Sequence, residues 1–212
     1  MSFESSRISY DLGVLDEATL GRDPIAALSA WLEAAYAAPN PGEPNAMAVS
    51  TVDAEGAPSV RIVLLRGLDT RGLVFYTSYF SRKAHDIEKN PRAAAVFYWP
   101  SFHRQVRVEG RVSQLSEDES DAYFASRPRG HQLSAWASEQ SEPVDRRETL
   151  DERMAHFEQR FEGEDVPRPH SWGGYVIAPS RIEFWQGRPN RMHDRIEFVL
   201  RDREWFRRRL QP

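Results

Sequence analysis

Arginine carries most of the chemistry this sequence could do. Of its 28 Lys and Arg residues, only Lys83 and Lys89 are lysines. Guanidinium forks pair bidentately with phosphates and carboxylates. Five motifs set those forks beside hydroxyls and rings. In Arg61-Ile-Val-Leu-Leu-Arg66 two cations bracket an apolar run, and charges enter a strand core only when paired. Five residues apart, the two Arg fall on opposite faces of a regular strand. One ligand reaches both only through a bulge, a strand-end bend or a subunit interface. Tyr76-Thr-Ser-Tyr-Phe-Ser-Arg82-Lys83 reads as strand, turn and helix start. Hydroxyls, two cations and a helix dipole converge there on a candidate anion site. Gln105 and Arg107 share a strand face, where an amide turned to a barrel interior could hydrogen-bond a heterocycle edge. Tyr123 and Arg127, four apart, share a helix face, and both can grip a phosphate. In Ile182–Arg195, Trp185 could pack a planar ring beside Arg188, Arg191, His193, Asp194 and Arg195. Taken singly, each motif also reads as solvated surface.

Other chemistries are missing. With no Cys among 212 residues, disulfides, thiolate nucleophiles and Cys-ligated metals are excluded. There is no G-x-G-x-x-G between strand and helix, no Walker A loop, no G-x-S-x-G and no H-x₃-H pair. The six His are scattered, so no metal site is expected. Any phosphate must be held by side chains. A net charge of −4 argues against a nucleic-acid binder, and local Arg clusters in so acidic a chain point to a small anionic ligand rather than a polyanion. Apolar runs fall far short of the roughly 20 residues a membrane span needs, and residues 1–10 do not read as a signal peptide. A cytoplasmic protein that engages no membrane is expected.

The elements that must position these groups follow from periodicity. Residues 1–22 read as an N-terminal arm, and 23–212 as a single domain. Asp23 and Pro24 open a helix in which Ile25, Leu28, Trp31, Leu32 and Tyr36 recur at helical spacing. From 46 the period becomes two: strands are predicted over 46–52, 57–68 and 72–79, joined by turns. Ser81 caps a short helix that Pro91 stops. Strands over 93–99 and 104–115 follow. Ser116 with Glu119 forms a capping box, and helices are predicted near 128–138 and 143–162. Strands over 172–187, 196–202 and 204–210 close the chain. Mostly hairpin-linked strands with intervening helices predict a β-barrel with peripheral helices.

Together these blocks resemble the pyridoxine/pyridoxamine 5′-phosphate oxidase family, from about Arg7 to the closing Arg-Leu-Gln-Pro. RIVLLR, VFYTSYFSRKAHDIEKNPRAA, RQVRVEG, YFASRPRG, AWASEQS, WGGY and IEFWQGRPNRMHDR carry the resemblance by order and spacing. It implies a mainly β (α+β) chain, an antiparallel FMN-binding split β-barrel, and a homodimer with FMN at the subunit interface. It implies FMN contacts at Arg61, Ile62, Val63, Leu64, Leu65 and Arg66, and at Tyr76, Thr77, Arg82, Lys83 and Gln105. Gln140, Ser141, Trp185 and Arg195 complete that set. For the substrate phosphate it implies Arg66, Tyr123, Arg127 and His131. Arg191 and His193 are the implied catalytic pair, against the pyridine ring, and Arg7 and Tyr10 cover the substrate from the arm. The implied reaction oxidises C4′ of pyridoxine or pyridoxamine 5′-phosphate to give pyridoxal 5′-phosphate, a step of vitamin B6 metabolism. Hydride passes to flavin N5, and dioxygen reoxidises the flavin to give hydrogen peroxide, with ammonia also formed from the amine. The family usually has Lys at the position of Arg66 and Ser at that of His131. The alternatives are another split-barrel flavoprotein, such as a flavin reductase, or a non-catalytic binder of FMN or pyridoxal phosphate.

Overall fold

Period-two alternation builds the architecture. The structure, a computed structural model, describes residues 9–212, so Arg7 lies outside the described residues. Nine strands form one antiparallel sheet: β1 (Ala46–Val52), β2 (Pro58–Leu64), β3 (Gly67–Asp69), β4 (Gly72–Ser78), β5 (Arg92–Trp99), β6 (Arg104–Gln114), β7 (Trp172–Gln186), β8 (Asp194–Arg201) and β9 (Glu204–Leu210). The order is β2-β1-β5-β6-β7-β4-β3, with β8 also on β7 and β9 on β8. The long β7 organises the sheet. Its first half pairs with β4, its second half with β8, and β6 runs along both. Opposite Glu109/Gly110 of β6 the register shifts by one, leaving Ser180 as the extra residue of β7, which bends there near the change of partner. The sheet curls into a half-barrel.

One face of the curl is core. Val106, Val108, Ile182, Phe184, Ile196 and Phe198 are fully buried there. Burying one such side chain stabilises the fold by roughly 1.5–3 kcal/mol. Helix α2 (Pro24–Tyr36), which follows a short α1 (Glu17–Leu20), packs Leu28, Trp31 and Leu32 into the same core. The Trp31 ring meets Phe184 edge-on at 5.1 Å. As the sequence predicts, Asp23 caps α2, accepting from the Ile25 and Ala26 amides. The opposite face carries the alternate residues: Gln105, Arg107 and Glu109 on β6, Glu183 on β7, Glu197 on β8. Gln105 therefore faces away from the core, not into a barrel interior.

Helices α3 (Arg82–Lys89), α4 (Glu117–Ala125), α5 (Arg129–Ala137) and α6 (Arg147–Arg160) complete the described α-helices. The Ser116/Glu119 capping box is present on α4. Phe124, Leu133, Phe161 and Trp172 form a second apolar cluster, with Met154 and Phe157 of α6 packed against it. Three expectations need correction. The strand predicted over 57–68 is broken: Leu65 and Arg66 leave the β1 ladder and a short β3 follows. Ser81 sits at the N-cap of α3, but its hydroxyl makes no cap bond; it donates to the Ser78 carbonyl at 2.7 Å. The helix predicted from 143 begins at Arg147. Ahead of Asp23, Leu15 and Leu20 are buried in the core.

Candidate active site

The broken strand places the first pair of cations. Arg61 sits within β2, and Arg66 follows the break. The Leu65 amide donates to the Asn45 carbonyl and the Arg66 amide to the Val74 carbonyl, both at 2.8 Å. This strand-end bend undoes the opposite-face problem, and both Arg line one cleft of about 1090 Å³. Ile62, Val63 and Leu64 line it too; Leu65 does not, being buried in the core.

The cleft's cations fall into two groups. The first surrounds the start of α3. Lys83 is buried, and its Nζ donates to Thr77 Oγ1 at 2.9 Å, Gln140 Oε1 at 3.0 Å and Ser81 Oγ at 3.1 Å. Burial first, and Arg61 second, push its pKa down to about 8. Ser141, held at a left-handed φ of 80°, accepts from the Arg82 amide at 3.2 Å. Arg61 is braced from behind. Its Nη1 donates to Thr51 Oγ1 at 2.8 Å and its Nη2 to Ser59 Oγ at 2.5 Å. Both hydroxyls donate on to Asp86, at 2.6 and 3.0 Å. Asp86, itself buried, lies 3.8 Å from the guanidinium. The sequence reading missed Asp86, Thr51 and Ser59. The signal for Asp86 is its place three residues after Lys83 on one helix face.

The second group lies where α4 meets α5. Tyr76 and Tyr123 stack at 3.8 Å with 11° between planes, and Trp172 lies parallel to Tyr123. The Arg127 guanidinium sits 4.4 Å from the Trp172 ring centroid. Its pKa is lowered, chiefly by burial; Tyr123 works against that and Arg66 adds to it. Nη1 of Arg127 is buried with no hydrogen-bond partner. A buried guanidinium nitrogen with a free donor is a strong pull on an anion. His131 lines the same cleft. So do Arg61, Arg66, Arg82, Lys83 and Arg127, and no Asp or Glu does among the described residues.

The remaining expected residues lie apart from this cleft. Trp185 and His193 are 4.7 Å apart between ring centroids, and the Tyr10 ring meets them edge-on at 5.8 and 5.5 Å. His103 joins this cluster against Tyr10 at 4.6 Å. Burial, then Arg191, lower the His193 pKa, so its imidazole is neutral near pH 7. Gln105 pairs across the ladder with Trp185. Arg195 is held bidentately by Glu183 at 2.8 and 3.0 Å. Arg191 follows Asn190 on the loop between β7 and β8. The expected residues therefore fall in two places on one chain: an anion cleft, and an aromatic–imidazole cluster outside it.

Comparisons with known proteins give the family. Residues 32–163 match the family model described as pyridoxamine 5′-phosphate oxidase. Residues 172–212 match the pyridoxine 5′-phosphate oxidase C-terminal dimerisation region. The chain is 54% identical over 206 residues to a Rubrobacter xylanophilus protein named pyridoxine/pyridoxamine 5′-phosphate oxidase, covering 97% of this chain and 94% of that one. A Synechocystis protein of the same name is 50% identical over 212 residues, covering 100% and 99%. Among solved structures, PhzG from Burkholderia lata 383, in complex with tetrahydrophenazine-1-carboxylic acid, superposes with a TM-score of 0.87 at 29% identity, over 95% of this chain and 99% of that one. A pyridoxamine 5′-phosphate oxidase-related, FMN-binding protein from Nostoc punctiforme gives a TM-score of 0.69 at 18% identity, over 88% and 96%, a likeness of fold alone. The curled antiparallel sheet is thus the split barrel that the motifs imply.

Proposed function

This chain belongs to the pyridoxamine 5′-phosphate oxidase family, and from that premise we propose that it oxidises pyridoxine or pyridoxamine 5′-phosphate to pyridoxal 5′-phosphate with FMN as cofactor. The charge of the cleft supports this best: five Arg and Lys side chains line it, and among the described residues no Asp or Glu does. The reaction brings two phosphate monoesters into one site, and the cations form two groups.

The residues present fit FMN. Arg61, Arg82 and Lys83, with the Ser141 hydroxyl, hold its phosphate at the start of α3, where the helix dipole adds to their charge. Thr77 and Gln140 fix Lys83, and Asp86 fixes Arg61. Bound FMN supplies the two-electron acceptor, which dioxygen regenerates with hydrogen peroxide as product. Arg66, Tyr123, Arg127 and His131 hold the substrate phosphate, which satisfies the free donor of Arg127. Arg66 and His131 keep donors where the family usually has Lys and Ser, but with a planar fork and a ring nitrogen. In a homodimer joined through the C-terminal region, Gln105, Trp185, Arg191, His193 and Arg195 of one subunit complete the cleft of the other. Arg191 and neutral His193 then orient the pyridine ring, and Tyr10 covers it.

The test is the flavin absorbance of FMN-loaded protein, held without oxygen, on adding pyridoxine 5′-phosphate. Bleaching that reverses in air is expected. Bleaching by a nicotinamide donor alone would make the chain a flavin reductase. Bound FMN that neither reagent bleaches would make it a binder.

A further inference from the structure

The loop between β7 and β8 carries Arg191 and His193, and its backbone is strained. Asn190 and Arg191 have φ of 56° and 60°, in the left-handed region that disfavours side chains. Such strain persists only where surrounding contacts over-determine it. Here those contacts converge on Asp194. Its Oδ2 accepts from the Leu15 amide at 3.1 Å and from Arg188 Nη1 at 3.5 Å; its Oδ1 accepts from Arg209 Nη1 at 2.8 Å. The three donors come from the N-terminal segment, the loop and β9. Arg188 closes the loop on itself, its amide donating to His193 Nδ1 at 3.1 Å. Its Nη1 also reaches the Gly13 carbonyl at 3.5 Å. Arg209 ties down the same segment, donating to the Leu15 carbonyl at 3.2 Å and to Glu17 at 2.9 Å. None of Asp194, Arg188 and Arg209 lines the cleft.

We propose that Asp194 is a positioning residue. Its carboxylate pins the strained loop to the N-terminal segment and to β9, and so sets where Arg191 and His193 meet the substrate; this rests on the function proposed above. The pin also fixes a proton. With the Arg188 amide on Nδ1, neutral His193 carries its hydrogen on Nε2 and presents a donor there. The segment that Asp194 holds is the one that carries Tyr10 onto His193. Loop placement and cover are thus set by one carboxylate.

Asp194→Asn keeps the shape and removes the charge. Turnover is expected to fall about tenfold or more, as small misplacements of orienting groups do. KM, FMN affinity and Tm stay close to wild type, while hydrogen exchange at the Leu15 and Arg188 amides accelerates. Arg209→Met repeats the loss from the other side of the pair, and Arg209→Lys restores part of it. Wild-type turnover in Asp194→Asn overturns the proposal. So does a loss of turnover that only tracks falling Tm and FMN retention, which is a structural role. A wild-type protein that substrate does not bleach fails the functional reading instead. Amide exchange then decides the pin by itself, and unchanged exchange in Asp194→Asn rejects it.

Discussion

At the scale of single residues, Lys83 makes the sharpest prediction. Its pKa, about 8 against an ordinary 10.5, means that burial disfavours its charge in the absence of a phosphate. A phosphate beside Nζ restores the ammonium, so FMN binding takes up a proton as pH passes 8. FMN affinity is therefore highest below that pH and weakens as pH rises through it. Stability of the apoprotein runs the other way. Between about 8 and 10.5 the unfolded chain binds more protons at this group, so the fold gains stability as pH rises. Fluorescence titration of apoprotein with FMN, from roughly pH 7 to 9.5, reads the first trend, and a flat Kd would remove Lys83 from the phosphate site. Lys83→Met should weaken FMN binding and flatten the curve. Arg191→Met should lower turnover by about 100-fold while FMN stays bound; steady-state rates on FMN-saturated protein check this, and undiminished turnover removes Arg191 from the reaction. Lys83 was legible as a cation of an anion cleft because it stands in a dense motif, and it does line the cleft. Asp86 was not. An acid on a short charged helix looks solvated until packing buries it beneath Arg61.

At the scale of elements, turn and cap chemistry was legible where it is local. The box of Ser116 and Glu119 lies within four residues, and the structure contains it. Ser116→Ala should cost about 1 kcal/mol of stability. Because α4 carries Tyr123 and leads into Arg127, the substrate KM should rise more than kcat falls. Urea unfolding and steady-state kinetics test the two halves, and an unchanged midpoint would mean that the cap is idle. The strand break was not legible, for a physical reason. Val63-Leu64-Leu65-Arg66 holds no Gly or Pro, and Gly67, the one local signal, comes only after the two residues that leave the ladder. The break is imposed by Asn45 and Val74, whose carbonyls take the two amides at 2.8 Å from elsewhere in the chain. Ser81 was misread likewise. A serine before a helix reads as a cap, but the buried Lys83 ammonium donates to its hydroxyl, which bonds backward to Ser78 instead.

At the scale of the molecule, motif order gave the curled sheet but not the separation of the cleft from the Trp185–His193 cluster. The outer face offers a surface through which a second copy, as proposed, would bring the two together. Val60, Ile62 and Tyr98 are 68%, 65% and 53% exposed, an apolar surface on β2 and β5. Val60 and Ile62 also line the cleft, so this surface and the cleft mouth are continuous. Farther along the same face, Arg and Glu alternate: Arg107, Arg181, Arg195 and Arg208 against the buried Glu183 and Glu197. An isologous dimer doubles every contact, so one substitution enters the interface twice. Tyr98 is the useful probe because it lies on this face and does not line the cleft. Tyr98→Asp buries a carboxylate twice, across the ladder from the uncharged Gln105 of its own chain. Sedimentation should show a monomer, and FMN retention and turnover should fall together if, as proposed, Trp185, His193 and Arg195 of one subunit complete the cleft of the other. A dimer that persists would place the interface elsewhere. A folded monomer that holds FMN as tightly as wild type would show that one chain completes the flavin site by itself, and would leave only the substrate side to the second subunit.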